Sequence, residues 1–234
     1  MGEELLVDGI GPGWLKRWLR PYQMMGPAAR RLSLAVFLWG LSEGLWMYIR
    51  PLYVSELGGN PAQIGQVLAI SGLAPVLFML PAGRLSDLIG PRKLMIVGWW
   101  IGTLATVLLA CAPDWTWLAP AFFLYSVSAS AIPAMNAYVA LDVTQREGPE
   151  SAGRMMQMLL SRVMAAYLAG TFVSPLIGGW LGEQLGLRLV FLISAAGFVL
   201  SSLAVHSTPP VPHLRPVAAQ DCDQIADVLR IMRN

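Results

Sequence analysis

The chain alternates between long apolar stretches and short polar ones. Six apolar stretches are each long enough to cross the hydrocarbon core of a bilayer, about 30 Å thick, as a helix. They cover residues 32–53, 62–82, 94–112, 117–141, 155–181 and 187–205. Proline, glycine and charge are concentrated between these stretches, which is typical of turns. The pattern predicts an all-α, polytopic membrane protein with six transmembrane helices.

Composition supports the same class of protein. Of the 234 residues, 56% are apolar and only 13% are charged, whereas about a quarter of the residues in a soluble protein are charged. The net charge of +2, without a basic stripe interleaved with aromatic residues, excludes a nucleic-acid-binding protein. Cys111 and Cys222 lie far apart in the sequence, so we expect neither a disulfide framework nor a metal site. No cofactor is expected.

Lysine and arginine are distributed unevenly among the polar segments. Loops that carry these residues tend to stay on the cytoplasmic side. If the amino terminus is inside, every lysine and arginine except Arg50, Arg162 and Arg188 lies in an inside segment. We therefore expect an integral protein of the plasma (inner) membrane with both termini cytoplasmic. Residues 14–20 combine Trp and Leu with cations, which indicates either a short interfacial helix or a disordered leader.

A short motif occurs twice. Residues 83–92 and 179–188 both match G-x-L-x-[DE]-x-x-G-x-R without a gap. The two copies lie three predicted spans apart, so they fall on opposite faces of the membrane. This arrangement predicts two inverted three-helix repeats, over about 32–112 and 117–206.

The first copy of the motif resembles the signature loop of the major facilitator superfamily, and the weaker second copy is also typical of that family. In the fifth span, residues 170–179 resemble the antiporter motif G-x-x-x-G-P-x-x-G-G, with Ser174 at the place of the middle glycine. The chain is thus identified as similar to the amino-terminal six-helix half of such a transporter. The expected segments are a cytoplasmic leader over 1–31, the bundle over 32–206, and a tail over 207–234 that resembles the start of the central interdomain loop.

The motif after the second span is expected to act as a conformational latch. Its members are Gly83, Asp87, Gly90, Arg92 and Lys93. The glycines permit tight turns and close approach, and Asp87 can accept hydrogen bonds from the N-terminus of a neighbouring helix. Arg92 and Lys93 can pair with Asp87 or face anionic lipid. The resemblance implies that contacts of this loop hold two six-helix halves together on the cytoplasmic side in the outward-open state. The alternative is that its cations only determine the topology in the membrane.

The antiporter-like motif contains Gly170, Ser174, Pro175, Gly178 and Gly179. Gly170, Ser174 and Gly178 recur every four residues and form a stripe of small side chains that permits close helix packing. Pro175 is expected to kink or loosen the helix. The resemblance implies export in exchange for protons, and a plain packing seam is the alternative.

Charged side chains inside membrane spans are costly and usually face a cavity or a partner. Glu43 lies near the middle of the first span, on the same helical face as Trp39, Trp46 and Arg50. We hypothesise that Glu43 titrates protons or senses substrate and that Arg162, in the fifth span, is its partner. The alternative is a static buried ion pair. Arg50 is expected to extend to the outer interface.

The fourth span offers a milder polar face. Tyr125, Ser128 and Asn136 lie on it, and Pro133 is expected to break the helix between them. The resemblance implies that the first and fourth spans line the central pathway, so these side chains are candidates for contacting substrate. The arginine that many members of the family carry in this span is absent, since Tyr125 and Ser126 stand near its position.

These features together predict a secondary transporter that works by alternating access, with proton-coupled export of a small amphipathic compound as the expected activity. An importer of sugars or metabolites, or a non-transporting six-helix module that binds a partner or self-assembles, remains open. An enzyme is not expected, because no Ser/His dyad, HExxH motif or paired intramembrane aspartates occur. The expected partners are a small-molecule substrate, protons, the lipid bilayer, and a missing carboxy-terminal six-helix half or a second copy.

Overall fold

The computed structural model describes residues 26–147 and 149–211. The predicted interfacial helix over 14–20, and the tail after residue 211, lie outside the described residues. Within the described ranges there are α-helices, one 3₁₀ helix and no strand. The α-helices are α1 (Pro27–Met47), α2 (Arg50–Glu56), α3 (Pro61–Ile89), α4 (Pro91–Cys111), α5 (Trp115–Val127), α6 (Ala131–Glu147), α7 (Pro149–Leu185) and α8 (Leu187–His206). The 3₁₀ helix, Ser128–Ser130, joins α5 to α6.

These helices provide five membrane-capable spans, or six when the bent pair of α1 and α2 counts as one span, which confirms the predicted all-α, polytopic membrane fold. Five helical stretches are long and apolar enough to span a membrane, and α1 and α2 together make a sixth that is bent by 50°. The first span is therefore α1 with α2, the second α3, the third α4, the fourth α5 to α6, the fifth α7 and the sixth α8. Five of the six predicted stretches fall within one of these spans, and the third, 94–112, extends one residue beyond the end of α4 at Cys111.

Proline explains both breaks inside spans. Pro51 lacks the N–H that would bond to the carbonyl of Met47, and α1 ends at that residue. In the fourth span, Pro133 leaves the carbonyl of Ala129 without its helical donor, and the 3₁₀ turn lies at that residue. The sequence predicted the second break, at Pro133, but not the first.

Two of the three helices that begin at the predicted outer end, α3 and α5, are capped by side chains, whereas α8 begins after Gly186 without a side-chain cap. The side chain of Asn60 accepts a hydrogen bond from the backbone N–H of Gln63, and the side chain of Gln63 accepts one from Asn60, which is a capping box. Asp114 caps α5 without a reciprocal bond: its carboxylate accepts hydrogen bonds from the hydroxyl and the backbone N–H of Thr116. These two bonds lower the pKa of the Asp114 carboxyl.

The predicted loops over 83–93 and 179–188 are much shorter than expected. Helix α3 runs to Ile89 and α4 begins at Pro91, while α7 runs to Leu185 and α8 begins at Leu187. A single glycine stands at each joint, Gly90 with φ of 94° and Gly186 with φ of 86°. This left-handed backbone suits glycine and ends a helix sharply, so most of each motif lies inside a helix.

Helix packing follows a closed order. Helix α1 packs along α7 and α8, α4 packs along α8 and the fourth span, α6 packs against α7, and α3 packs mainly along α5. Hydrogen bonds between spans reinforce this order: Ser194 and Ser201 of α8 donate to the carbonyls of Ser42 and Ala35 at 2.7 and 2.6 Å. Small side chains and such bonds are the usual means of holding helices together in lipid.

The core consists of two clusters of buried side chains. One contains Leu32, Met95 and Tyr138, and lies toward the end predicted to be cytoplasmic. The other contains Trp46 and Phe191, and lies toward the opposite end. Trp39 packs against both clusters, so it marks the level at which they meet, roughly the middle of the first span.

Exposure differs among the spans. Only 17% of the apolar window is buried in α3 and in α7, against 56% in α4. The exposed side chains of α3 and α7 are mostly large and apolar, among them Leu80, Phe172, Leu176 and Trp180. Lipid or another apolar protein surface must cover these two helices.

Candidate functional site

A cavity of about 320 Å³ is lined by side chains of the first five spans. It is mainly aromatic and aliphatic, with one carboxylate and one guanidinium. Its lining residues are Val36, Trp39, Glu43, Arg50, Pro75, Trp99, Tyr125, Ser126, Ser128, Ala129, Ile132, Met135, Val163, Met164 and Tyr167. A concave apolar pocket with a few converging polar groups is the usual form of a small-molecule site.

Glu43 is the only carboxylate among these lining residues, and it has two partners. The hydroxyl of Tyr167 donates to Glu43 Oε2 at 2.9 Å, and Arg50 Nη2 lies 3.8 Å from Glu43 Oε1. The side chains of Glu43 and Arg50 are only 12% and 19% exposed. A charge removed from water to this extent needs a partner, and here Arg50 supplies a cation and Tyr167 a hydrogen-bond donor.

Arg50 reaches Glu43 because the first span bends between them. Its guanidinium carbon lies 4.5 Å from the ring centroid of Trp46 and 5.6 Å from that of Phe122, which are cation–π distances. The expectation that Arg50 extends to the outer interface is therefore wrong: the side chain turns back into the cavity.

The proposed pairing of Glu43 with Arg162 is also wrong. Arg162 precedes Tyr167 by five residues, or about 7.5 Å along a helix, and the part of α7 that lines the cavity is Val163, Met164 and Tyr167. Glu43 is satisfied by Arg50 and Tyr167 instead. Sequence reasoning missed Tyr167, although it lies three residues before Gly170 and thus near the small-residue face of the fifth span.

Aromatic rings form one wall of the cavity. Trp39 contacts Trp99, Tyr125 and Phe198, with ring centroids 5.2, 6.0 and 4.4 Å apart. Trp46 does not line the cavity; it is fully buried behind Tyr125, with centroids 4.8 Å apart. Interlocked rings of this kind hold one another in place, so the wall is rigid.

Two of the three fourth-span candidates reach the cavity. Tyr125 and Ser128 line it, whereas Asn136 is half-buried outside it. The hydroxyl of Ser128 donates to the carbonyl of Tyr125 at 2.5 Å, a common arrangement for serine in a membrane helix. Of the eight predicted pathway residues, the structure brings together Trp39, Glu43, Arg50, Tyr125 and Ser128.

The stripe in the fifth span packs directly on the first span. A Cβ atom on Gly178 would overlap the carbonyl oxygen of Leu45, and one on Gly170 would lie 2.6 Å from the backbone nitrogen of Leu41. On the other side of this contact, a Cβ on Gly44 would overlap the hydroxyl of Ser174. We call this contact between α1 and α7 the glycine seam. This geometry fits the alternative interpretation of the antiporter-like motif, namely a plain packing seam.

The remaining members of the antiporter-like motif take no part in the glycine seam. Gly179 is exposed, and a Cβ atom there would meet nothing within 4 Å. Pro175 lies within α7, which continues through it to Leu185. Sequence reasoning missed Gly40 and Gly44, the α1 side of the seam, although their spacing of four is the same small-residue signal.

The residues of the latch motif differ in their surroundings: some are exposed at the surface of the bundle, and Arg92 contacts a neighbouring helix. Gly83 has nothing within 4 Å of an added Cβ, and Asp87 and Lys93 are exposed. Among the described residues the side chain of Asp87 has no hydrogen bond or ion pair. Arg92 does not pair with Asp87 but donates to the carbonyls of Thr208 and His206 at 3.0 and 2.9 Å, because the carbonyls at the end of a helix attract a cation.

Arg188 repeats this contact at the other end of the same two helices. It is the second residue of α8, as Arg92 is of α4, and it donates to the carbonyl of Ala112 at 2.6 Å. Each arginine thus binds the carboxyl end of the helix that the other begins. We call these two contacts the arginine clasps. The inverted repeat itself stays a prediction, and matching clasps are what it would produce.

Replacing Arg92 with alanine is expected to lower the free energy of unfolding by about 1–2 kcal/mol, since two charge-assisted but partly exposed hydrogen bonds are lost. Thermal unfolding of the purified protein in detergent would show a Tm lower by a few degrees. The matched control is Lys93→Ala, which removes the neighbouring exposed cation and should leave Tm unchanged. Equal shifts for both variants would contradict the clasp.

Comparison with known proteins places these features in a wider group. A family model described as Major Facilitator Superfamily matches residues 32–231. The multi-drug resistance efflux pump PmrA of Streptococcus pneumoniae serotype 4 is 28% identical over 171 residues, which cover 71% of this chain and 41% of the pump. A PmrA homolog of Lactococcus lactis subsp. lactis is 31% identical over 177 residues, 71% of this chain and 40% of the homolog.

A further relative has a different name but a similar extent of match. The multidrug resistance protein MdtG of Proteus mirabilis is 28% identical over 153 residues, which cover 63% of this chain and 36% of that protein. The chain therefore spans less than half the length of each of these three relatives.

Proposed function

Because the chain belongs to the major facilitator superfamily, we propose that it forms the amino-terminal six-helix part of a secondary transporter that exports a small amphipathic compound in exchange for protons. The observation that carries this proposal is the cavity, which combines an aromatic wall with one ionisable carboxylate, Glu43. The names of the relatives, which are multidrug efflux and resistance proteins, support export over import.

Glu43 is proposed as the group that carries the proton. In the ionised state it holds Arg50 and Tyr167, each from a different span or span segment. A proton on Glu43 would remove the charge that Arg50 balances and would weaken both contacts. Binding of a proton would thus change the contacts of α2 and of α7 at the same time. A residue that couples proton binding to a conformational change must affect the moving helices in this way.

The transport path is proposed to need a second six-helix bundle. Residues of α3 and α7 line the cavity, and these same helices carry the most exposed apolar surface. A second bundle packed on them, either a carboxy-terminal half or a second copy, would close the cavity between the two. Alternating access would then be a rocking of one bundle against the other, with Asp87 and Lys93 placed to contact the partner bundle.

The orientation is proposed from the positions of the cations. Arg31 donates to the carbonyl of Ser207, close to the contacts of Arg92 with His206 and Thr208. Arg146 lies at the last turn of α6 and pairs with Asp142. Concentration of arginine at one end of the bundle supports a cytoplasmic location for that end, in the plasma membrane.

Transport in inverted membrane vesicles tests the function. Vesicles that contain the full gene product are expected to accumulate fluorescent amphipathic compounds, drawn from a panel of cationic and uncharged ones, when the interior is acidic. Collapse of the gradient with a protonophore should release the compound. Accumulation only in right-side-out vesicles would favour an importer, and no accumulation in either kind would favour a non-transporting module.

A further inference from the structure

A glycine of the third span makes room for one ring of the aromatic wall. Gly102 is buried on α4, and a Cβ atom added to it would overlap Cη2 of Trp39, the far tip of the indole ring. The next nearest atoms, Cβ and Oγ of Ser128, lie 3.1 Å away, so a small shift would relieve that contact. Trp39 can therefore occupy its present position only because position 102 has no side chain.

The neighbours of Trp39 leave its ring one direction in which to move. Trp99, Tyr125 and Phe198 contact the ring and are all buried. Trp39 itself is only half-buried and lines the cavity. Protein interiors are packed too densely to take up a displaced ring, so a ring pushed away from Gly102 would enter the cavity.

We propose that Gly102 determines the size of the aromatic compounds that the cavity accepts. Gly102 does not itself line the cavity, so it is a positioning residue that acts through the ring of Trp39. The proposal rests on the transport function above and names the ligands of that site as polycyclic aromatic compounds, whose flat rings suit a wall of tryptophan and tyrosine. The cavity volume of about 320 Å³ lies at the lower end of the range for small-molecule sites, so displacement of one indole ring would exclude the larger of these compounds.

Two probes that share an amino group and differ in the number of fused rings test the proposal. The smaller is 1-aminonaphthalene and the larger is 1-aminopyrene. Equilibrium dialysis against the full gene product in lipid nanodiscs, with empty nanodiscs subtracted, gives both affinities. The wild type is expected to bind 1-aminopyrene more tightly, because the larger probe buries more apolar surface.

An added methyl group at position 102 should act mainly on the larger probe. The variant Gly102→Ala is expected to weaken binding of 1-aminopyrene by about tenfold, a usual effect of one carbon group in an apolar pocket, and to leave binding of 1-aminonaphthalene almost unchanged. It should still fold, because the atom that must move is the tip of a side chain and not part of a backbone. The matched control is Gly65→Ala on α3, where an added Cβ meets nothing within 4 Å, and it should change neither affinity.

Shortening the ring at position 39 should remove the effect. In a Trp39→Phe background, Gly102→Ala is expected to change the affinity for 1-aminopyrene by less than about twofold, because phenylalanine lacks the ring tip that an added Cβ would meet. Such a double-mutant cycle isolates the contact between two residues. A purely structural role of Gly102 would give the same loss in both backgrounds.

Several results would contradict this role of Gly102. An equal loss of both probes, or no loss of either, would mean that the cavity does not narrow. Failure of Gly102→Ala to fold would mean that the ring cannot move into the cavity, and absence of any binding by the wild type would exclude these ligands. Because dialysis uses no gradient, size-selective binding without transport would refute only the transport function. Transport with the same size preference in the wild type and in Gly102→Ala would refute only the present proposal.

Discussion

Replacing Gly178 with leucine is expected to leave almost no folded protein in the membrane. An added Cβ atom overlaps the carbonyl oxygen of Leu45 and lies 2.6 Å from its carbonyl carbon, so the atoms that must move belong to the backbone of α1. Overpacking costs about 1–3 kcal/mol when side chains can adjust. Here α1 and α7 must separate along the glycine seam, and we expect a loss above about 4 kcal/mol, a large part of the roughly 5–15 kcal/mol that stabilises a typical domain.

The measurement is the yield of monodisperse protein after detergent extraction, with Tm for whatever is recovered. The matched control is Gly179→Leu, at the next residue, where an added Cβ meets nothing within 4 Å. It should accumulate and unfold like the wild type. Gly178→Ala should fall between the two. If Gly178→Leu accumulates normally and unfolds at the wild-type temperature, α1 and α7 are not packed as closely as the structure places them.

Replacing Glu43 with glutamine is expected to reduce gradient-driven accumulation to the level of empty vesicles. Glutamine has nearly the same shape and can still accept the hydrogen bond of Tyr167, but it cannot exchange a proton. Exchange of substrate without a gradient should persist and should lose its dependence on pH. Radioactive or fluorescent substrate counterflow, measured at several pH values, separates these two effects.

The static ion pair predicts a different outcome. Glu43→Gln leaves the guanidinium of Arg50 without its charged partner under either role, at a cost of about 3–5 kcal/mol. If Glu43 only balances Arg50, however, coupling in the protein that still folds is normal. Glu56→Gln makes the same chemical change on an exposed residue at the end of α2 and should behave like the wild type. Normal pH-dependent transport by Glu43→Gln would exclude the proton role.

The spans were predictable because lipid imposes a simple rule. A helix that crosses about 30 Å of hydrocarbon must be long and apolar, and all six stretches satisfy this. The exact ends of the helices were harder to predict. Residues 83–93 contain glycines and charged residues, yet only Gly90 ends the helix, because it alone has a left-handed backbone conformation there. Composition marks where a turn is permitted, whereas the backbone conformation of one residue decides where it falls.

The sequence predicted which residues line the site better than it predicted which of them contact one another. Counting residues gives the depth of a side chain in the membrane, and on depth alone Arg162 was a reasonable partner for Glu43. Depth does not give the direction in which a side chain points around its helix. Pro51 causes the bend after Met47, and this bend brings Arg50 to Glu43 instead. Packing along the glycine seam determines which face of α7, the one that carries Tyr167, is turned toward Glu43.

The arginine clasps have a mechanical consequence for the bundle. Arg92 holds one end of the α4–α8 pair and Arg188 holds the other, so the two helices cannot slide along or tilt against each other without breaking a contact at one end. Helix α3, in contrast, packs mainly along α5 and has most of its surface free of the bundle. Deformation during the proposed transport cycle would therefore be concentrated in α3, with α4 and α8 moving as one stiff body.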